Sequence, residues 1–222
     1  MTQDLNVLLS PAEYVDSDHG DVVAFARDVT KGKGTVSDQL RALYFAVRDE
    51  IRYDPYVDFT SSETFRASSV LSARAGYCVG KAALYAALAR SIGVPCRIGF
   101  ADVQNHLATE RLLSIMGTNV FAWHGYVECH VRDKWIKASP TFNNTLCAKL
   151  GVAPLDFDGV NDALLQSFDE RDVRFMEYHV QRGVYFDVPA RFLMQEMRRL
   201  YPALCVPGGA QGSRMEQEAP SR

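Results

Sequence analysis

The 222-residue chain contains no Cys-x-x-Cys pair, and its five cysteines (Cys78, Cys96, Cys129, Cys147, Cys205) form an odd set. That spacing argues against a zinc site and against a disulfide framework. Free thiols fit a reducing compartment. No apolar run reaches the ~18 residues that a membrane span needs. The stretch from Met1 to Ser10 lacks the basic start and apolar run of a signal peptide. A cytoplasmic location and no membrane partner are therefore expected. Net charge is small, −3, which gives no electrostatic reason to expect nucleic acid or an anionic surface as partner. Internal repeats are absent. Hydrophobic residues at 47% and charged residues at 23% are ordinary for a globular chain, and the length suffices for a full core without staples.

One stretch organises the rest. Gly76-Tyr77-Cys78-Val79-Gly80-Lys81 leads into Ala82 to Ile92, rich in strong helix formers and apolar on nearly every face. Gly93 and Pro95 stop it. The spacing predicts a buried central helix with Cys78 at its N-terminus. Unpaired N–H groups there favour an anion, so the Cys78 thiolate is expected to be favoured, with Lys81 one turn on adding to the effect.

Forty-six residues beyond Cys78 lies His124, inside the aromatic and β-branched run Val120 to Val131, which reads as a strand. Arg132-Asp133-Lys134 is a polar turn, and Trp135 to Ser139 returns as the partner strand before Pro140. Alternation puts His124, Tyr126, Glu128 and His130 on one face. His124 and His130 stand too far apart along the strand to share a metal, at ~3.3 Å per residue. A thiol with a nearby base, itself oriented by a third group, is the pattern of nucleophilic catalysis.

Taken together, Gly76-Tyr77-Cys78, Gly93-Val94-Pro95-Cys96-Arg97, His124-Gly125-Tyr126-Val127-Glu128 and Trp135-Ile136-Lys137-Ala138-Ser139-Pro140 resemble the transglutaminase-like superfamily of papain-like thiol enzymes over residues 36 to 143. The resemblance implies an α+β fold, with a papain-like or transglutaminase-like core in which the Cys78 helix packs on an antiparallel sheet presenting His124. It also implies cysteine-dependent acyl transfer on an amide of a peptide or protein, as a peptidase, amidase or transglutaminase-like enzyme. The alternative is a non-catalytic peptide-binding or protein-interaction module of the same fold. The family places an Asp before the Pro, and here that position holds Ser139. Ser139 can accept a hydrogen bond from His124 without stabilising an imidazolium. Asn143 offers an amide instead, and Asp156 or Asp158 could fold back. The family's animal enzymes use calcium. The spacing of Asp156 and Asp158 falls short of a calcium loop, so no metal or cofactor is expected.

Around this pair the sequence suggests further site residues. Tyr53 and Tyr56, in the segment the resemblance places before the site, could line a substrate cleft. Tyr77 and Trp123 flank the pair. Asn105 and His106 lie in the long stretch between the first strand (97–102) and the His124 strand, where insertions are often functional, although Asn105 is also a common turn former.

The chain divides into an N-terminal extension (1–35), the core (36–150), a C-terminal extension packed on the core (151–205) and a disordered tail (206–222). Helices are expected at 21–29, after a Ser37 cap with Leu40, Leu43, Tyr44, Val47 and Ile51 inward, at 64–71, at 111–116, and from Pro189 to Tyr201. The segment 168–178 shows no clear period.

Overall fold

Every residue from Cys78 to Arg90 is buried in the helix that carries the thiol, so the rest of the chain must wrap it. The computed structural model describes residues 5–164, 176–210 and 214–218. In chain order the elements are α1 (Gly20–Thr30), α2 (Val36–Glu50), β1 (Arg52–Tyr53), α3 (Ala67–Ala73), β2 (Ala75–Gly76), α4 (Cys78–Ser91), β3 (Cys96–Asn105), α5 (Glu110–Met116), β4 (Val120–Val131), β5 (Lys134–Ala138), α6 (Asn144–Leu150), β6 (Met176–Tyr185), α7 (Ala190–Leu200) and α8 (Met215–Glu218). The protein is α+β, with helices packed against an antiparallel sheet.

Helices α1, α2 and α3 surround one side of α4, and β4 and β3 cover another. Leu40, Leu43, Tyr44 and Val47 form the buried stripe of α2, at the three-and-four spacing that one helical face requires. The cap is Thr35, whose hydroxyl accepts from Asp38 N at 3.1 Å, two residues earlier than the Ser37 reading. The four-stranded sheet runs β5-β4-β3-β6, all antiparallel, and a short parallel pair joins β1 to β2. This pair ties the segment before the site to the turn before Cys78, with Tyr53 opposite Gly76.

One close approach fixes how the sheet meets α4, and a second lies between two strands of the sheet. A Cβ on Gly125 would fall 2.9 Å from Val79 Cα, so the absence of a side chain lets β4 press against the start of α4. A Cβ on Gly99 would fall 2.2 Å from the Tyr126 ring, which lies across that strand.

Strand β6 was not legible as a strand. Of the periodless segment 168–178, residues 168–175 lie outside the described residues, and 176–178 begin β6. The disordered-tail expectation is corrected in its described part. Gly208 N donates to Asp58 Oδ2 at 2.8 Å, Ala210 N donates to Tyr56 O at 3.1 Å, and Met215 is buried. A polar composition had masked one apolar anchor and several carboxylates with partners on the core. The remaining tail residues, 211–213 and 219–222, lie outside the described ones. Among the described residues no helix is long and apolar enough to cross a membrane.

Candidate active site

Cys78 is the first residue of α4, capped by the extended backbone of Tyr77 (φ −86°, ψ −179°). His124 lies on β4. The two side chains line one small cavity of about 40 Å³, together with Tyr53, Tyr77, Leu112, Met197 and other apolar groups. That volume is too small for a peptide. The roof comes from distant parts of the sequence: Leu112 and Met116 of α5, Met197 of α7, Tyr201, and Leu204 in the 3₁₀ turn Pro202–Leu204. Cys78 is 8% exposed and His124 2%.

His124 Nε2 lies 3.4 Å from Ser139 Oγ, and Ser139 Oγ lies 3.0 Å from Thr141 Oγ1. The orienting position is thus filled by a neutral hydroxyl, itself held by a second one. Asn143 is engaged elsewhere. Its Oδ1 accepts from Tyr53 N at 3.0 Å, and its Nδ2 donates to Thr145 Oγ1 and to Glu216 Oε1, both at 2.6 Å. It therefore braces the β1 segment. Asp156 accepts from its neighbour Phe157 N, and Asp158 closes its own turn with Val160 and Asn161.

Burial dominates the electrostatics. It pushes the Cys78 thiol up to about 11, against the backbone N–H groups of Gly125, Val79 and Cys78 itself, which pull it down. It pushes the His124 imidazole down to about 4, with no charged partner opposing. The closed site therefore holds a neutral thiol and a neutral imidazole. The expectation of a favoured thiolate is reversed, because desolvation of the charged form outweighs the helix start. Lys81 takes no part: its ammonium donates to Arg48 O at 3.0 Å and Ile51 O at 2.6 Å, closing the end of α2.

The strand bends just before His124. Ala101 pairs with His124 and Val103 with Phe121, so Ala122 and Trp123 together oppose Asp102, and Trp123 has φ 61°. This is a β-bulge, the device that re-aims a side chain within a strand. Asp102 holds it: Oδ1 accepts from Trp123 N at 3.1 Å and from Arg182 Nε at 3.0 Å. Tyr201 OH accepts from Ala122 N and donates to Val120 O, both at 2.8 Å. Asp102, Arg182 and Tyr201 hold the bulge, and sequence reading missed them. A bulge leaves no local signature here, since no glycine marks the positive φ.

The other expected substrate-binding residues divide. Tyr53 and Tyr77 line the cavity. The Tyr77 ring stands edge-on to Phe59 and Phe65, and its buried hydroxyl has no hydrogen-bond partner among the described residues. Tyr56 does not line the cavity, and its hydroxyl donates to Glu218 Oε2 at 2.6 Å. Trp123 packs between Phe100 and Phe192, with Nε1 donating to Glu196, so it buttresses the bulge. Asn105 and His106 lie away from the cavity. Asn105 Oδ1 accepts from Leu107 N to close a turn, and His106 Nε2 faces Glu177 Oε1 at 3.2 Å. Glu128 is tied to Arg97 at 2.6 Å, and His130 rests against Trp135.

The family model for the transglutaminase-like superfamily matches residues 23–140. Among solved structures, a candidate cysteine protease from Cytophaga hutchinsonii aligns with a TM-score of 0.51 and 17% identity, covering 86% of this chain and 50% of that one. A candidate protease from Parabacteroides distasonis aligns with a TM-score of 0.40 and 14% identity, covering 63% of this chain and 27% of that one. The chain thus spans half the length, or less, of these two structures. No curated protein matches it.

Proposed function

The chain belongs to the transglutaminase-like superfamily, and on that premise we propose that it is a cysteine-dependent enzyme acting on an amide bond of a peptide or protein. The observation that carries this reading is the shared cavity: Cys78 at the start of α4 and His124 on the bulged strand face the same space, with Ser139 on the imidazole.

In this reading substrate enters where α5 and the Pro202–Leu204 turn now meet. Cys78 Sγ attacks the amide carbonyl carbon as its proton passes to His124. The Cys78 N–H, at the helix start, stabilises the oxyanion. His124 returns the proton to the leaving amine and a thioester forms on Cys78. Water resolves it in a peptidase or amidase, and a second amine resolves it in a transferase. The apolar roof excludes water until it opens, so the resolving nucleophile is a matter of product analysis. The neutral resting pair suits a latent site, whose ionisation changes once a polar substrate replaces the roof.

Mass-spectrometric analysis of peptides incubated with the protein, alone and with a primary amine, tests the reading. Product is expected from the wild type and from neither Cys78→Ala nor His124→Ala. Equal product from Cys78→Ala would overturn it. The uncharged pair also favours a second reading, a peptide-binding module without catalysis. Its signature is saturable peptide binding with no thioester and no product.

A further inference from the structure

Three donors from two separate segments converge on one carboxylate beside the cavity. Tyr56 OH donates to Glu218 Oε2 at 2.6 Å, Thr109 Oγ1 donates to the same oxygen at 2.8 Å, and Arg111 Nε stands 3.3 Å from Oε1. Each donor neighbours a residue of the cavity wall: Pro55 precedes Tyr56, Leu112 follows Arg111, and Leu112 N donates to Thr109 Oγ1. The carboxylate itself arrives on α8, a four-residue helix. A helix that short has no stability of its own and is held by what it touches. Besides Glu218, the anchors are buried Met215 and Glu216, which accepts from Asn143 and Thr145 and whose backbone carbonyl accepts from Lys149.

Without Glu218, the Tyr56 and Thr109 hydroxyls would have only each other and the Arg111 guanidinium would face no anion there. A carboxylate accepts from both hydroxyls through one oxygen and pairs its charge with Arg111 through the other, since charge-assisted bonds to an anion are the strong ones. A short local helix is the kind of element that lifts off at low cost.

We propose that Tyr56, Thr109 and Arg111 form a carboxylate subsite next to the Cys78 cavity, filled by Glu218 in the closed chain and by an acidic side chain of the peptide ligand when α8 is displaced. That the peptide ligand is a substrate rests on the reading of Cys78 and His124 given above; the subsite itself does not.

The test uses full-length protein carrying Cys78→Ala, so that binding is read without chemistry. Fluorescence anisotropy measures a labelled hexapeptide with one central glutamate, and its glutamine twin. In the background Met215→Asp plus Glu218→Gln, which frees the subsite, the glutamate peptide is expected to bind about tenfold more tightly than its twin. With α8 intact the preference is expected to shrink. Adding Arg111→Ala, or the milder Tyr56→Phe, is expected to erase or reduce it. Equal binding of the two peptides by the freed chain would overturn the proposal and leave Glu218 a simple clamp. So would a preference that survives both Arg111→Ala and Tyr56→Phe. Failure of the catalytic reading shows instead as absent product from protein with an intact thiol, whatever the anisotropy gives.

Discussion

The imidazole of His124 meets the hydroxyl of Ser139 across 3.4 Å, and Thr141 Oγ1 backs that hydroxyl at 3.0 Å. A carboxylate in place of Ser139 would put negative charge beside a ring that burial alone now holds down to about 4. Ser139→Asp is therefore expected to raise the His124 pKa by at least about one unit, the sign an opposite charge imposes. Histidine ring NMR across a pH series checks this. An unchanged midpoint would show that residue 139 does not set the state of the imidazole. The same variant is expected to speed alkylation of Cys78 near neutral pH.

Gly125 makes the second prediction. Its missing side chain lets β4 sit against Val79, where a Cβ would lie 2.9 Å from Val79 Cα and 3.0 Å from a Val79 methyl. Backbone cannot step aside as a flexible side chain can. Gly125→Ala is expected to cost about 1–3 kcal/mol of overpacking strain and to lower turnover more than it lowers stability, since it moves His124 from Cys78. Chemical denaturation and turnover, measured on the same preparation, separate the two effects.

Acid is expected to unfold the wild type partly through His124. The folded pKa lies near 4, below the ordinary 6.5, so both states are neutral above about pH 6.5 and no stability is lost there. As pH falls from 6.5 towards 4, the unfolded chain takes up a proton that the folded chain refuses. Linkage sets this loss at about 3 kcal/mol. Urea unfolding at pH 7 and pH 4.5 is expected to show a steeper fall for the wild type than for His124→Gln. Parallel curves would contradict the burial of a neutral imidazole.

Cys78 labelling has the opposite sign on the alkaline side. With its thiol pushed up to about 11, iodoacetamide is expected to modify it at pH 8 more slowly than Cys205, the one cysteine with partial exposure, because the thiolate is the reacting form. Releasing the Pro202–Leu204 turn from the cavity with Leu204→Asp is expected to narrow the gap. Peptide mapping of the label decides it.

Cys96 and Cys129 face each other across β3 and β4, with sulfurs 3.1 Å apart, and lie 33 positions apart in the chain. Refolding with glutathione disulfide as the oxidant is expected to join these two and leave Cys78 free. Their two hydrogens pass to the glutathione disulfide, which becomes two thiols. A non-reducing peptide map reads the linkage, and a loop of that length gains about 3–4 kcal/mol in the chain-entropy picture. A map that joins other cysteines would refute the pairing. The five thiols looked unpaired in sequence because opposition across strands depends on register rather than on spacing.

The sequence alone determined the parts whose causes are local. An unbroken Ala/Leu run bounded by Gly76 and Gly93 makes α4 and places Cys78 at its start. β-Branched and aromatic residues make β4 and carry His124, and the α2 stripe follows from three-and-four spacing. Tertiary structure decided the rest, because those properties belong to neighbours far along the chain. Desolvation by Leu112, Met197 and Leu204 turns a helix-start thiol into a neutral one. Asn143 is drawn to Tyr53 and Glu216, leaving Ser139 to His124. The bulge at Trp123 exists only because Asp102, Arg182 and Tyr201 meet there. Local sequence sets which backbone shape is cheap; the charge state and aim of a buried group depend on what the whole fold packs around it.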